Sequence, residues 1–189
     1  MSQIKLLNTE EITCLYNTHM KIDFPPDELK PLEIILSLIQ KGVYECLGLF
    51  EAKTLKAYAF IAREKDGQIY LLDYLAVCEI YRNQGYGSHF LALLKTYYPN
   101  AQGLIIEVES LRTAHDTKDF QMRTRRLNFY KRNGLMQTDV TTNCFNVEFT
   151  ILYLPITCPY EHEFIYKHLA CIYKTIFPAH LYEANVRFL

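Results

Sequence analysis

A turn with two glycines is the stretch of this sequence best suited to chemistry. Residues 81–90 read YRNQGYGSHF and follow the apolar run YLLDYLAV of residues 70–77. Gly85 and Gly87 permit positive φ and let a ligand approach the backbone closely. A helix that begins near Gly85 leaves its first amides without partners, and these amides suit a phosphate group. The turn therefore predicts a polyanion site, with the Arg82 guanidinium at its rim.

Other interpretations of this turn compete with a polyanion site. The two glycines could serve only the geometry of an ordinary strand-to-helix connection. A Walker A loop requires the pattern GxxxxGK[ST], which the chain lacks. A dinucleotide-binding turn requires a third glycine where this chain has Phe90, and it places the strand closer to the first glycine. The turn alone does not distinguish these interpretations, so other motifs in the chain are needed.

Acidic side chains also occur inside apolar strands. Glu107 belongs to the predicted strand 103–110, where alternation places it on the same face as Glu109. An acid within a central strand costs free energy unless it is solvated, paired or functional. Glu107 is therefore a candidate base, and the alternative is that it or Glu109 pairs with an arginine of the basic segment 121–133. Asp73 is a weaker candidate that could bind a cationic substrate.

The elements that position these residues follow from hydrophobic periodicity and turn signals. Strands are predicted at residues 4–8, 44–51, 56–64, 68–77, 103–110 and 147–156, and helices from Thr9, from a cap at Asp27, and at 88–98, 121–133 and 160–177. Asp66 and Gly67 predict a hairpin turn. The order strand, helix, strand over 68–110 predicts a parallel pair. The fold class is therefore α+β (mixed α/β), with one βαβ core.

Composition limits the classes of protein. The chain has 189 residues, half of them hydrophobic, which favours one domain over residues 1–189. Its net charge of −1 supplies no chain-wide field that would recruit nucleic acid or a membrane. The sequence shows no signal peptide and no apolar run near the roughly 18 residues of a membrane span. Six scattered cysteines without a CxxC pair favour free thiols in the cytoplasm, and no metal site is expected.

Four segments in order carry a family resemblance. LAV (75–77) precedes the R-x-x-G-x-G pattern of residues 82–87, and IIEVE (105–109) and NFYKRNGL (128–135) follow. Together they resemble the GNAT superfamily of acyl-CoA-dependent N-acyltransferases. The resemblance implies a central twisted mixed β-sheet, splayed between two parallel strands, with helices on both faces. It implies a core over residues 3–156 and a C-terminal extension over 157–189.

The resemblance also implies a coenzyme site. In the family, the backbone amides of the glycine turn wrap the coenzyme A pyrophosphate, and the preceding strand pairs with the pantetheine arm. The implied coenzyme-binding residues are Leu75, Ala76, Val77, Arg82, Asn83, Gln84, Gly85, Tyr86, Gly87, Ser88 and Asn128. Asn128 is included because Arg123 stands where the family often has an asparagine, seven residues before a tyrosine.

That tyrosine is Tyr130, and the resemblance implies that it protonates the departing thiolate, although an aromatic side chain packed on the sheet is the alternative. Glu107 would deprotonate the amine, directly or through water, and a backbone amide near Val77 would stabilise the oxyanion. The implied activity is direct transfer of an acetyl group from acetyl-CoA, the cosubstrate, to a small-molecule or peptide amine. A non-catalytic acyl-CoA-binding or regulatory domain is the alternative. The aromatic C-terminal segment could cover the site or form a homodimer.

Overall fold

The computed structural model describes residues 2–26, 28–65 and 67–189, and its centre is one mixed β-sheet. The strands are β1 (Ser2–Leu6), β2 (Tyr44–Glu51), β3 (Thr54–Arg63), β4 (Ile69–Val77), β5 (Gly103–Glu109), β6 (Met136–Cys144), β7 (Val147–Pro155) and β8 (Val186–Phe188). The helices are α1 (Thr9–Leu15), α2 (Lys21–Asp23), α3 (Leu32–Gln40), α4 (Tyr86–Tyr97), α5 (Thr117–Arg132), α6 (His162–Ile176) and α7 (Ala179–Asn185). The strand order is β1-β2-β3-β4-β5-β7-β6-β8.

Helices cover both faces of this sheet. On one face, here called the α6 side, α1, α3 and α6 pack on inward residues that include Leu71 and Ile105. On the other, the α5 side, α4 and α5 pack on residues that include Leu72 and Ile106. Neighbouring residues of β4 and β5 are thus buried on opposite faces, which explains why these strands read as continuous apolar runs. The predicted mixed α/β fold is confirmed.

β4 and β5 are the parallel pair, and their pairing is short. It runs from Ile69 opposite Gly103 to Leu72 opposite Ile106. Beyond these residues β4 continues to pair with β3, and β5 with β7, but no described pair joins β4 to β5. The sheet therefore splays between the two strands, as the predicted βαβ unit and the resemblance implied.

Local hydrogen bonds explain where two helices begin. The Asn8 side chain accepts from the Glu11 amide, and the Glu11 carboxyl accepts from the Asn8 amide, which is a capping box. The sequence placed the cap at Thr9, one residue too late, because asparagine and threonine both cap well. α5 begins four residues before its predicted start at residue 121, because the Asp116 side chain caps it.

α3 begins at Leu32, directly after Pro31. Gly42, with φ of 73°, follows its end and allows the chain to leave the helix. Two predicted features, the helix cap at Asp27 and the hairpin turn at Asp66, lie outside the described residues.

Three elements after residue 135 escaped prediction, namely β6, α7 and β8. β6 buries alternate residues that include Thr138, Val140 and Thr142, and buried threonines read as polar in the sequence. α6 crosses the sheet, and the short strand β8 then pairs with β6 at the edge. The C-terminal segment is therefore part of the sheet's α6 side. Among the described helices, none combines the length and apolar character of a membrane-spanning segment.

Gly103→Ala should destabilise the fold, because the new Cβ would lie 2.3–2.4 Å from the ring of Tyr153. Tyr153 is fully buried and its hydroxyl donates to two backbone carbonyls, so the ring cannot move away. We expect a loss of about 1–3 kcal/mol in the free energy of unfolding, measured with urea. Gly48→Ala is the comparison variant, because its Cβ would lie 2.6 Å from the ring of Phe50, a side chain that is only partly buried and whose ring, unlike that of Tyr153, makes no hydrogen bond. Equal losses in the two variants would contradict the prediction.

Candidate active site

The gap between β4 and β5 opens beside two carboxyl groups. Asp73 and Glu107 are each the first residue after the last parallel pair, Leu72 and Ile106. On its other side β4 pairs Tyr74 with Phe60 and Leu72 with Ile61, so Asp73 is an extra, bulged residue. Both carboxyls lie on the α6 side, because Asp73 accepts from Tyr44 and Glu107 accepts from Tyr173, and both tyrosines belong to the core on that side.

The predicted pantetheine-binding strand forms one edge of this gap. From Leu75 to Val77, β4 pairs with β3 and with no other strand among the described residues. Backbone groups on its gap side are therefore free to pair with an extended ligand that carries amides. The structure thus supplies the open edge that the sequence predicted for these residues.

The glycine turn presents a run of free amides at the end of β4. Among the described residues, no hydrogen-bond acceptor contacts the backbone amides of residues 83–88. Gly85 has φ of 85° and precedes α4, which begins at Tyr86, two residues earlier than predicted. Gly87 serves packing instead, because a Cβ there would lie 3.1 Å from the Phe129 ring. Free amides at a helix N-terminus have the geometry that phosphate oxygens require.

Arg82 is already engaged in this structure. Its guanidinium donates to an Asp23 carboxyl oxygen at 2.5 Å and to the Val77 carbonyl at 3.1 Å, and its amide donates to the Glu79 carbonyl. Asp23 also accepts from the Tyr58 hydroxyl at 2.7 Å. Arg82 therefore links the glycine turn to the segment after α1, and its contact with a ligand phosphate stays a prediction.

Asp73 forms a buried ion pair that the sequence did not reveal. The Lys30 ammonium lies 2.9 and 2.8 Å from its two oxygens, and the Tyr44 hydroxyl donates to the same carboxylate. Burial lowers the pKa of Lys30, but Asp73 more than offsets this, so the pKa lies above its usual value. Lys30 also lies 5.1 Å from the centre of the Tyr74 ring. Asp73 is thus neutralised from within the chain.

Glu107 differs from the other three acids near the gap. Asp23, Asp73 and Glu109 each form a salt bridge, with Arg82, Lys30 and Arg126 respectively. Glu107 forms no salt bridge among the described residues, and it accepts a hydrogen bond from the Tyr173 hydroxyl. The interpretation that an arginine of α5 pairs with an acid of β5 therefore holds for Glu109, the last residue of its strand.

The pKa of Glu107 suits a base near neutral pH. Burial raises it, the Tyr173 hydroxyl lowers it, Asp73 raises it and Lys30 lowers it, and the result is a pKa of about 7. The residue as a whole is only partly buried. Glu107 can hold or release a proton under physiological conditions.

Tyr130 lies on the α5 side of the sheet. Its side chain is buried in the core there, 5.1 Å ring to ring from Phe129, and its hydroxyl has no hydrogen-bond partner among the described residues. Burial raises the pKa of Tyr130 to about 12, with Arg126 lowering it and Glu109 raising it. Such a phenol stays protonated at neutral pH and can donate a hydrogen bond, but it is a weaker acid than an exposed tyrosine.

The two other α5 positions that sequence reasoning considered lie elsewhere. Asn128 is exposed and lines a shallow cavity of about 360 Å³ formed by α5 residues. It lies two residues before Tyr130, so the two side chains leave the helix on nearly opposite faces. Arg123 lies on the same face as Tyr130 but is held by Asp119 and by the Ser110 carbonyl. The predicted coenzyme contact of Asn128 therefore gains no support from its position.

The structure thus places Glu107 on the α6 side of the sheet, where pairing between β4 and β5 stops, and Tyr130 in the core on the α5 side. The free amides of the glycine turn lie at the end of the strand that borders this gap. Chemically, the arrangement offers a base, a neutral hydrogen-bond donor, an anion site and an open strand edge. Among the described residues, no three His, Cys, Asp or Glu side chains are grouped as metal ligands.

Glu107→Gln should change how stability depends on pH. The carboxyl titrates near 4.5 in the unfolded chain and at about 7 in the fold. Between these values the folded state binds more protons, so the free energy of unfolding of the wild type should fall as pH rises. The variant lacks this titration. Its free energy of unfolding, relative to that of the wild type, should therefore rise by up to a few kcal/mol as the pH is raised from 4.5 to 7.

Urea unfolding at four pH values measures this difference. Glu33→Gln, which removes an exposed carboxylate, controls for the loss of one charge. A difference between Glu107→Gln and the wild type that does not vary with pH would refute a raised pKa at this residue.

Comparison with known proteins rests on structure. No family model and no curated protein matches the sequence. The ribosomal-protein-S18-alanine N-acetyltransferase from Escherichia coli is 19% identical, with a TM-score of 0.60 over 86% of this chain and 98% of its own. An acetyltransferase described as a GNAT family member, from Bacteroides thetaiotaomicron, is 19% identical, with a TM-score of 0.69 over 87% and 92%.

A spermidine N-acetyltransferase from Vibrio cholerae, in complex with CoA and spermine, is 9% identical, with a TM-score of 0.63 over 82% of this chain and 96% of its own. Identities this low establish the fold rather than the activity. The splayed parallel pair, the helices on both faces and these alignments lead to one conclusion: the chain has the fold of the GNAT family of acetyltransferases.

Proposed function

We propose that this protein is an N-acetyltransferase that transfers the acetyl group of acetyl-CoA to a primary amine. The observation that carries the proposal is the run of six free amides at residues 83–88, placed where β4 leaves the splayed gap. A diphosphate held there would direct the pantetheine arm along the open edge of β4 toward Asp73 and Glu107. Two proteins of this fold were solved in complex with CoA, which supports CoA as the ligand.

In the proposed mechanism Glu107 accepts a proton from the acceptor ammonium, directly or through water. Alkylammonium groups have pKa values near 10, so a base must act before attack. The free amine attacks the thioester carbon, a new C–N bond forms, and the C–S bond breaks. A backbone amide at the gap edge of β4, near Val77, stabilises the oxyanion.

Tyr130 assists the loss of coenzyme A by donating a hydrogen bond to the developing sulfur anion. Its hydroxyl is unpartnered among the described residues, and its raised pKa keeps the proton on the phenol, so solvent protonates the released thiolate. Both Tyr130 and its neighbour Phe129 also pack in the core, so an aromatic that only packs against the sheet is the alternative role for Tyr130. The proton lost by the amine and the charge that develops on the sulfur are thus handled by different residues.

The acceptor is a small-molecule or peptide amine in this proposal. The Vibrio protein binds spermine, but in this chain Lys30 neutralises Asp73 and Arg126 neutralises Glu109. We therefore expect little general attraction for polycations. One domain over residues 1–189, a cytoplasmic location and assembly into a homodimer remain predictions.

Coenzyme binding tests the anion site. Calorimetry should show that acetyl-CoA binds at least about 100-fold more tightly than acetyl-pantetheine, because several charge-assisted hydrogen bonds to the diphosphate are lost. NAD, which carries a diphosphate but no pantetheine arm, is the control and should also bind weakly. Equal affinities for acetyl-CoA and acetyl-pantetheine would show that the amides of residues 83–88 do not hold a diphosphate.

Turnover tests the catalytic assignment. Release of free thiol from acetyl-CoA, followed with a panel of primary amines, should fall about 100-fold or more in Tyr130→Phe with little change in KM. Tyr97→Phe, a change in a partly exposed tyrosine of α4, should leave the rate unchanged. Tight binding of acetyl-CoA without turnover of any amine would instead identify a non-catalytic acyl-CoA-binding domain.

A further inference from the structure

The C-terminal helix α6 places a hydroxyl group directly on Glu107. Tyr173, in the last turn but one of α6, is 1% exposed, and its hydroxyl donates to a Glu107 carboxyl oxygen. The same hydroxyl lies 3.3 Å from Thr142 Oγ1 of β6. Because the phenol donates to the carboxylate, the threonine hydroxyl is placed to donate to the phenol. A chain of two hydroxyls therefore ends on the proposed base.

The surroundings of Glu107 leave this hydrogen bond as its main direct contact. The charged or titratable groups that face it are Asp73 from β4, Lys30 from the segment before α3, Cys144 from β6 and Tyr173 from α6. Lys30 is bound to Asp73 rather than to Glu107. Burial beside Glu107 raises the pKa of Tyr173 well above its usual value, so the phenol remains a donor.

Packing fixes Tyr173 in this position. Its ring lies 5.9 Å from that of Phe177 and 6.0 Å from that of Phe188 in β8. β8 in turn pairs with β6, the strand that carries Thr142. The rings and the edge strand thus hold the Tyr173 hydroxyl against Glu107. Tyr173, Phe177 and Phe188 all belong to the segment predicted as an extension beyond the core, whereas Thr142 belongs to the core.

We propose that Tyr173 is a positioning residue that orients the Glu107 carboxyl and sets the proton affinity at which it works. The inference rests on the proposed function, because it assigns Tyr173 a role in proton transfer from the acceptor amine. A hydroxyl donor stabilises the carboxylate, which is the form that accepts the proton. The C-terminal segment is thereby part of the active site.

Three variants test this role. Tyr173→Phe removes the donor and keeps the ring, and Thr142→Val removes the second hydroxyl with little change in shape. Tyr182→Phe is the matched control, because Tyr182 packs against the same apolar cluster and its hydroxyl has no hydrogen-bond partner among the described residues. The readouts are the pH profile of kcat/KM and a ¹³C NMR titration of the Glu107 carboxyl, assigned with Glu107→Gln.

We expect Tyr173→Phe to move the acidic limb of kcat/KM, and the Glu107 titration, up by about one pH unit. At pH 6 kcat/KM should then fall about tenfold, with a much smaller loss above pH 8. Thr142→Val should move the acidic limb and the Glu107 titration in the same direction but by a smaller amount. Tyr182→Phe should leave both unchanged. Unchanged profiles and titrations in Tyr173→Phe would overturn the inference. If circular dichroism shows that Tyr173→Phe does not fold, Thr142→Val replaces it as the test. A shift of its pH profile and of its Glu107 titration would support the inference, and unchanged curves would overturn it.

The same measurements separate this inference from the proposed function. If Glu107→Gln keeps full activity, or no amine is acetylated, the proposed base or function fails, while the NMR titration still reports whether Tyr173 controls the carboxyl. If Glu107→Gln abolishes the acidic limb and Tyr173→Phe behaves like the wild type, the function stands and the role of Tyr173 fails.

Discussion

The early end of parallel pairing between β4 and β5 is the constraint on which the site depends. Four residue pairs join the strands, and pairing stops after Leu72 and Ile106. The bulge at Asp73 turns β4 away while β3 still holds its other edge. Unpaired backbone groups inside a sheet are costly unless water or a ligand satisfies them. The unpaired edge of β4 at the gap is therefore suited to bind an extended ligand that carries amides.

Electrostatics around the gap single out one carboxyl. Acids placed in apolar strands must be paired, solvated or protonated, and the acids of β4 and β5 near the gap are either paired or have a raised pKa. Lys30 pairs Asp73 in the interior, Arg126 pairs Glu109 at the strand end, and Glu107 takes a pKa of about 7. The acid that keeps no cation of its own is thus the one able to exchange a proton. Its hydroxyl partner comes from a segment far away in sequence.

Part of this site could be read from the sequence. The glycine turn and Glu107 are local signals, since each rests on a residue type set beside or within an apolar strand, whereas Tyr130 was identified through the resemblance to the GNAT superfamily. Lys30 and Tyr173 carry no such signal, because their partners lie 43 and 66 residues away. Arg82 was expected to meet a ligand, but the structure gives it a carboxylate partner in Asp23, 59 residues away.

The sequence by itself determined the periodic strands, the βαβ unit and the break in regular structure at the glycine turn, because backbone sterics and alternating burial act between near neighbours. Only the tertiary structure decided which acids are neutralised, that β6 and β8 belong to the sheet, and that α6 reaches Glu107. Those outcomes depend on which side chains meet across distant segments. Such contacts, through burial and charge, set the proton affinity of a carboxyl, and no local pattern records them.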